Sequence, residues 1–139
     1  MSKTQTVTAN TARPIVYSDF FTDFSRHINT GQLNKKTNED AVKQSVRNLL
    51  LTDRYERPFQ PTIGGNLRAL LFEPFSPTTQ SKAREIITAV FDNHEPRAEL
   101  LDIVTVPNVD GNAIGITISF RIINSTDITN LQLTLERTR

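Results

Sequence analysis

Glu56, Glu73 and Glu95 each stand within two residues of a proline, in or beside expected loops, where active-site groups often sit. Two such carboxyls roughly 5–10 Å apart, one with a raised pKa, would suit glycoside hydrolysis. Fifteen acidic residues in 139 positions supply many accidental pairs, however, and two Tyr with no Trp leave few platforms for a sugar. Accident outweighs a dyad. His27 and His94 are far apart and Cys is absent, so spacing gives a zinc site no support. The five glycines, at 31, 64, 65, 111 and 115, write no phosphate-cradling loop, and no Ser stands in a G-x-S-x-G elbow. No cofactor is expected.

Two other features look suited to contact with another chain. The segment Arg54-Tyr55-Glu56-Arg57-Pro58-Phe59-Gln60-Pro61 packs charge, aromatics and prolines together. Arg and aromatic side chains are favoured at interface hot spots because they combine area with fixed geometry. Arg54, Tyr55, Arg57 and Phe59 are therefore candidate interface residues; the plainer alternative is a buried loop anchored by Phe59. The second feature is the closing apolar alternation, which at a sheet edge would offer unpaired N–H and C=O groups. Arg137 and Arg139 would either guard that edge or orient a partner.

These features need elements to position them. Residues 1–14 read as a flexible N-terminal arm, poor in large apolar residues, and 15–139 as one domain. Phe24–Ile28 and Gln32–Lys35 suggest a short hairpin turning at Thr30-Gly31. Asn38–Leu51 is an amphipathic helix with Thr37 as N-cap and Val42, Val46 and Leu49 on its buried face. Asn66 is expected to cap a short helix through Phe72, stopped by Pro74. Ser76-Pro77 opens a longer helix to His94, with a stripe of Ala83, Ile86, Ile87 and Val90, ended by Pro96. Three strands follow: Leu100–Val106, then Ile114–Ile122 after an Asp110-Gly111 turn, then Leu131, Leu133 and Leu135 alternating with polar residues. Helices grouped apart from an antiparallel meander give the α+β class.

Composition narrows the function further. Sixteen basic against fifteen acidic residues give a formal charge of +1, so a broad field for nucleic acid or anionic lipid is not expected. The basic residues of the middle, Lys35 to Arg57, are interleaved with Glu39, Asp40, Asp53 and Glu56 and read as a solvated face. The longest apolar run, Ala69–Phe72, is far too short to span a membrane. Neither nucleic acid nor membrane is an expected partner.

Several motifs in order resemble one known family. They are Asp40-Ala41-Val42-Lys43-Gln44-Ser45-Val46-Arg47-Asn48-Leu49, Thr52-Asp53-Arg54-Tyr55-Glu56-Arg57-Pro58-Phe59, Ile63-Gly64-Gly65-Asn66-Leu67 and Leu71-Phe72-Glu73-Pro74. After these come Glu95-Pro96-Arg97, Asn124 and the closing Leu135-Glu136-Arg137. From about Phe24 onward the chain resembles the baseplate wedge proteins of contractile phage tails, which have a counterpart in type VI secretion baseplates.

The resemblance implies a structural, non-enzymatic component of the virion tail baseplate, made in the host cytoplasm. It would dock on the helical core bundle of other wedge proteins and start the tail sheath by sharing strands with the first sheath ring. Tube or hub proteins are further candidate neighbours. Glu95, Pro96 and Arg97 would be the docking residues, and Ile128, Leu131, Leu133 and Leu135 the strand offered to the sheath. Arg97 could grip a partner carboxylate through two parallel hydrogen bonds, with Glu95 free for a basic partner or bracing Arg97. An internal Glu95–Arg97 brace is the competing reading. The family's old description as a lysozyme leaves peptidoglycan cleavage as the alternative, and a cellular injection machine as a variant of the first.

Overall fold

The computed structural model describes residues 15–108 and 112–136. The expected arm, the Asp110-Gly111 turn and the two terminal arginines lie outside them. In chain order come β1 (Ser18–Phe20), β2 (Lys35–Thr37), α1 (Asn38–Leu51), a 3-10 helix (Leu67–Phe72), α2 (Pro77–His94), β3 (Ala98–Asn108), β4 (Ala113–Ile122) and β5 (Ile128–Glu136). β1 pairs with β2, while β3, β4 and β5 form an antiparallel sheet in that order. The α+β class holds.

The hairpin differs from its expected form. Its turn lies where expected, closed by the His27 N–H on the Gln32 carbonyl at 2.7 Å, with Gly31 in the left-handed region. The paired strands, however, lie farther from the turn, at 18–20 and 35–37; nearer to it only Arg26 and Leu33 form a bridge. Phe24 adopts φ 52°, which breaks extended chain, and Ile28 is 98% exposed, so alternation there has no core to face.

Helix α1 starts where expected, but Thr37 makes no side-chain cap. Asn38 takes the local role instead: at φ 48° its Oδ1 accepts from the Val16 and Tyr17 N–H groups, tying the segment before β1 to the helix. Asn66 also sits left-handed without capping, and the following helix is 3-10 rather than α. Ser76 does cap α2, accepting from the Thr79 N–H at 3.3 Å.

The core lies between the helices and one face of the sheet. α1 packs on β5 and α2 on β3. Val42, Val46, Leu50, Ala83, Ile87 and Val90 meet Ile116, Ile118, Phe120, Leu131, Leu133 and Leu135. Each large side chain so buried contributes about 1.5–3 kcal/mol. Phe91, absent from the expected stripe, is buried against Phe120 with ring centroids 5.7 Å apart, while Ile86 is only half-buried. Gln44 is buried too, because the Phe20 carbonyl accepts from its Nε2 at 2.8 Å.

Candidate docking surfaces

Pro96 ends α2, and Glu95 at its C-cap donates its N–H to the Phe91 carbonyl. This places the Glu95 carboxylate in the interior, with the residue 1% exposed. Arg97 meets it fork to fork: Nε to Oε1 at 2.6 Å and Nη2 to Oε2 at 2.8 Å. Burial of a carboxylate is costly unless it is paired in this way. The same hydrogen bond, outweighing partial burial, raises the Arg97 pKa above its ordinary value. The guanidinium also lies 5.6 Å from the centre of the Tyr17 ring. Glu95 thus braces Arg97, and both its oxygens are taken. The Arg97 side chain remains 33% exposed, with Nη1 not spent on Glu95.

This corner also receives the β4–β5 turn. The Arg97 carbonyl accepts from the Ile123 N–H at 2.9 Å, and Asn124 follows at φ 74°. Beside it opens a cleft of about 310 Å³ lined by Val16, Tyr17, Ile122, Ile123 and Asn124 among others. Val16 and Ile123 are more than half and half exposed.

The second surface is the loop between α1 and the 3-10 helix. Its backbone is fixed by bonds from Tyr55 N–H to the Pro61 carbonyl, Glu56 N–H to that of Asp53, and Gln60 N–H to that of Arg57. Glu56 Oε2 accepts from the Asp53 N–H at 2.9 Å. Gly65 N–H then reaches the Thr52 carbonyl, and Gly64 at φ +119° allows that return, since a Cβ there would drive into the Thr52 carbonyl oxygen. Tyr55 is 82% and Phe59 102% exposed, at φ 68° and 66°. The alternative of Phe59 as a buried anchor is therefore wrong: the prolines and turn bonds lift the ring out of the fold. Bulky residues in the left-handed region cost roughly 1 kcal/mol or more each, so the turn bonds hold these aromatics outward against strain. Arg54 and Arg57 are exposed beside them.

The third surface is the sheet's margins, and the two margins differ. On β3 the Ile103 N–H is taken by Asp102 Oδ1 at 2.8 Å, and its carbonyl by Arg84 Nη2 at 2.9 Å. A bulge between Leu100 and Asp102 interrupts the same strand, and Pro107 removes a donor. Because both Ile103 groups are engaged by side chains, the pair Ile103–Ile118 lies at a non-hydrogen-bonded position. Ile118 then turns its groups to Leu131, its partner on β5. The Ile123 N–H on the Arg97 carbonyl gives the same parity from the far end. Along β5, Thr129, Leu131, Leu133 and Leu135 therefore bond to β4. Ile128, Asn130, Gln132 and Thr134 turn their N–H and C=O groups to the margin, where no strand pairs among the described residues. Leu131, Leu133 and Leu135 are all buried, and Ile128 is 64% exposed.

The three proline-flanked carboxylates are engaged separately, Glu56 within its loop, Glu73 by Lys82 Nζ at 2.9 Å and Glu95 by Arg97. Spacing alone did not point to Arg84, Asp102, Tyr17 or Gln44. Asp102 carried a readable signal as the one charge within the branched-residue segment Leu100–Val106.

Comparison with known proteins identifies the family and the fold. The sequence model of the family described as baseplate wedge protein gp25 matches residues 36–127. The baseplate wedge protein gp25 of Enterobacteria phage T4 is 31% identical over 96 residues, covering 68% of this chain and 73% of that protein. Among solved structures, a Geobacter sulfurreducens protein described as a candidate tail lysozyme superposes with TM-score 0.65 at 25% identity, over 73% of this chain and 92% of that one. A chain of the anti-feeding prophage baseplate shares the fold with TM-score 0.62 at 20% identity, over 86% and 85% of the two chains. With a family match that runs from β2 to the β4–β5 turn and takes in the Glu95–Arg97 corner, the chain belongs to the baseplate wedge protein gp25 family.

Proposed function

We propose that this chain is a structural baseplate component that docks on the helical core bundle of its wedge partners through the Glu95-Pro96-Arg97 corner and starts the tail sheath through β5. What carries the reading is the asymmetry of the sheet: one margin is closed at Ile103, while the other presents Ile128, Asn130, Gln132 and Thr134. An open margin gives affinity through main-chain hydrogen bonds, and alternating side chains set register. Leu131, Leu133 and Leu135 hold the strand to the core while its outer groups pair. At the corner, the cleft lined by Val16 and Ile123 supplies apolar area, and the free side of Arg97 supplies a charge. Arg54, Tyr55, Arg57 and Phe59 form a second contact with the baseplate. Particle assembly would place the chain in the virion tail, with sheath and wedge proteins as its neighbours.

Removing Ile128–Arg139 would be a poor test, because it strips three buried leucines from the core. Gln132→Pro removes one outward N–H and leaves the β4 ladder and the core face intact. Baseplates are expected to incorporate this variant but to carry no sheath in electron micrographs. Sheaths of normal length on such baseplates would overturn the proposal.

A further inference from the structure

Where α1 packs on β5, a cleft of about 390 Å³ opens between them and the hairpin, lined by Leu131 of that strand, Thr22 and Lys36 of the hairpin, and Asp40, Lys43 and Arg47 of α1. Three cations thus face one carboxylate in a chain whose total charge is only +1. Among the described residues, none of Lys36, Lys43 and Arg47 joins an ion pair, although Lys36 lies 5.0 Å from the centre of the Phe21 ring. Gln44 also lines this cleft. It is 8% exposed, and its Oε1 is buried without a hydrogen-bond partner. A buried acceptor left in that state costs about 1–3 kcal/mol, which a donor arriving with a partner would recover.

These observations specify an occupant. We infer that the segment received along β5 is an extended acidic strand of a partner chain. Its carboxylates meet Lys43 and Arg47, which sit one turn apart on α1, and a donor of its own reaches Gln44 Oε1. The inference rests on the reading of β5 as a strand acceptor and adds the charge of what is accepted. Long-range attraction between the cleft and an acidic strand would speed encounter, while the main-chain ladder sets the final register. A lysine-rich strand would meet like charge at the same place and be rejected.

The test uses the purified full chain and two synthetic peptides of the length of β5, nine residues. One alternates threonine with aspartate, the other threonine with lysine. Binding is read from amide chemical shifts and hydrogen exchange at Asn130, Gln132 and Thr134. The aspartate peptide is expected to protect these amides and to bind at least about tenfold more tightly than the lysine peptide. A Lys43→Glu/Arg47→Glu double variant, checked for an unchanged melting temperature, should reverse that order. Equal protection of β5 by both peptides would overturn the charge inference while leaving strand acceptance in place. Protection of β5 by neither peptide, or protection at β3 instead, would overturn strand acceptance itself.

Discussion

The Glu95–Arg97 corner and the Asp53–Ile63 loop are both built from charge, proline and aromatic residues, yet the fold treats them in opposite ways. At the corner the chemistry is turned inward. A carboxylate with 1% exposure takes both arms of a guanidinium fork, and Tyr17 covers the pair. In the loop it is turned outward, with Tyr55 and Phe59 in solvent at positive φ and held there by a ring of turn bonds. Residues of one type can therefore be spent on holding the fold or displayed by it, and exposure together with backbone angle tells the two apart where composition does not. The corner should register in stability as well as in docking, and the loop in assembly.

The sharpest break of this contrast comes from Arg97→Ala. It strands a buried carboxylate, and removing one member of such a pair costs about 3 kcal/mol. A large fall in melting temperature is expected by calorimetry; an unchanged value would show the brace to be idle. Replacing both residues, Glu95→Leu/Arg97→Leu, should restore most of that stability while wedge incorporation stays low, which separates bracing from docking. Gly64→Ala comes next, at about 2 kcal/mol, because the new Cβ meets the Thr52 carbonyl at a φ that disfavours side chains. This measures how rigidly the loop is closed. Phe59→Gly should act in the other direction, stabilising the isolated domain by up to about 1 kcal/mol through relief of a strained φ while weakening incorporation into baseplates. If it melts lower instead, Phe59 is holding the fold and the contrast fails.

The smallest effect is one of pH. The Arg97 pKa is raised in the folded state, chiefly by its hydrogen bond to Glu95. A group raised in this way contributes stability that is complete below its unfolded pKa and is lost only as pH climbs through the folded one. The difference in melting temperature between the wild type and Arg97→Ala should therefore stay flat from about pH 8 to about pH 11. A steady narrowing across that interval would show that the folded state lowers the Arg97 pKa instead of raising it.

Local rules made much of this fold readable before any coordinates. Ser76-Pro77 and Pro96 bracket α2 to the residue, and strict alternation marks β4 and β5 because one face of each is buried and the other is not. Short elements were harder. The hairpin buries little, so its apolar residues carry no period, and the left-handed turns at Phe24 and Asn38 decide where its strands begin. Thr37 and Asn66 occupy cap positions but make no side-chain cap: Asn66 itself sits at positive φ, as does Asn38 after Thr37, whose Oδ1 accepts from Val16 and Tyr17. The candidate surfaces divide in the same way. Glu95, Pro96 and Arg97 were found by motif, but pairing between residues two apart at a helix end is set by how the chain leaves α2. The parity of β5 was beyond reach, because it follows from the register of β3 on β4 and of β4 on β5, which alternation along one strand does not specify.

On the proposed reading of β5, the engagement of Ile103 on β3 leaves the sheet one margin suited to receive a strand. A unit with two receptive margins can be inserted anywhere in a row of strands and can propagate through copies of itself. A unit with one can only stand at the end of a row, as a monofunctional molecule does in a growing polymer. Arg84 and Asp102, remote from every surface proposed for contact, would thus decide where a row begins and keep copies of the chain from polymerising with one another.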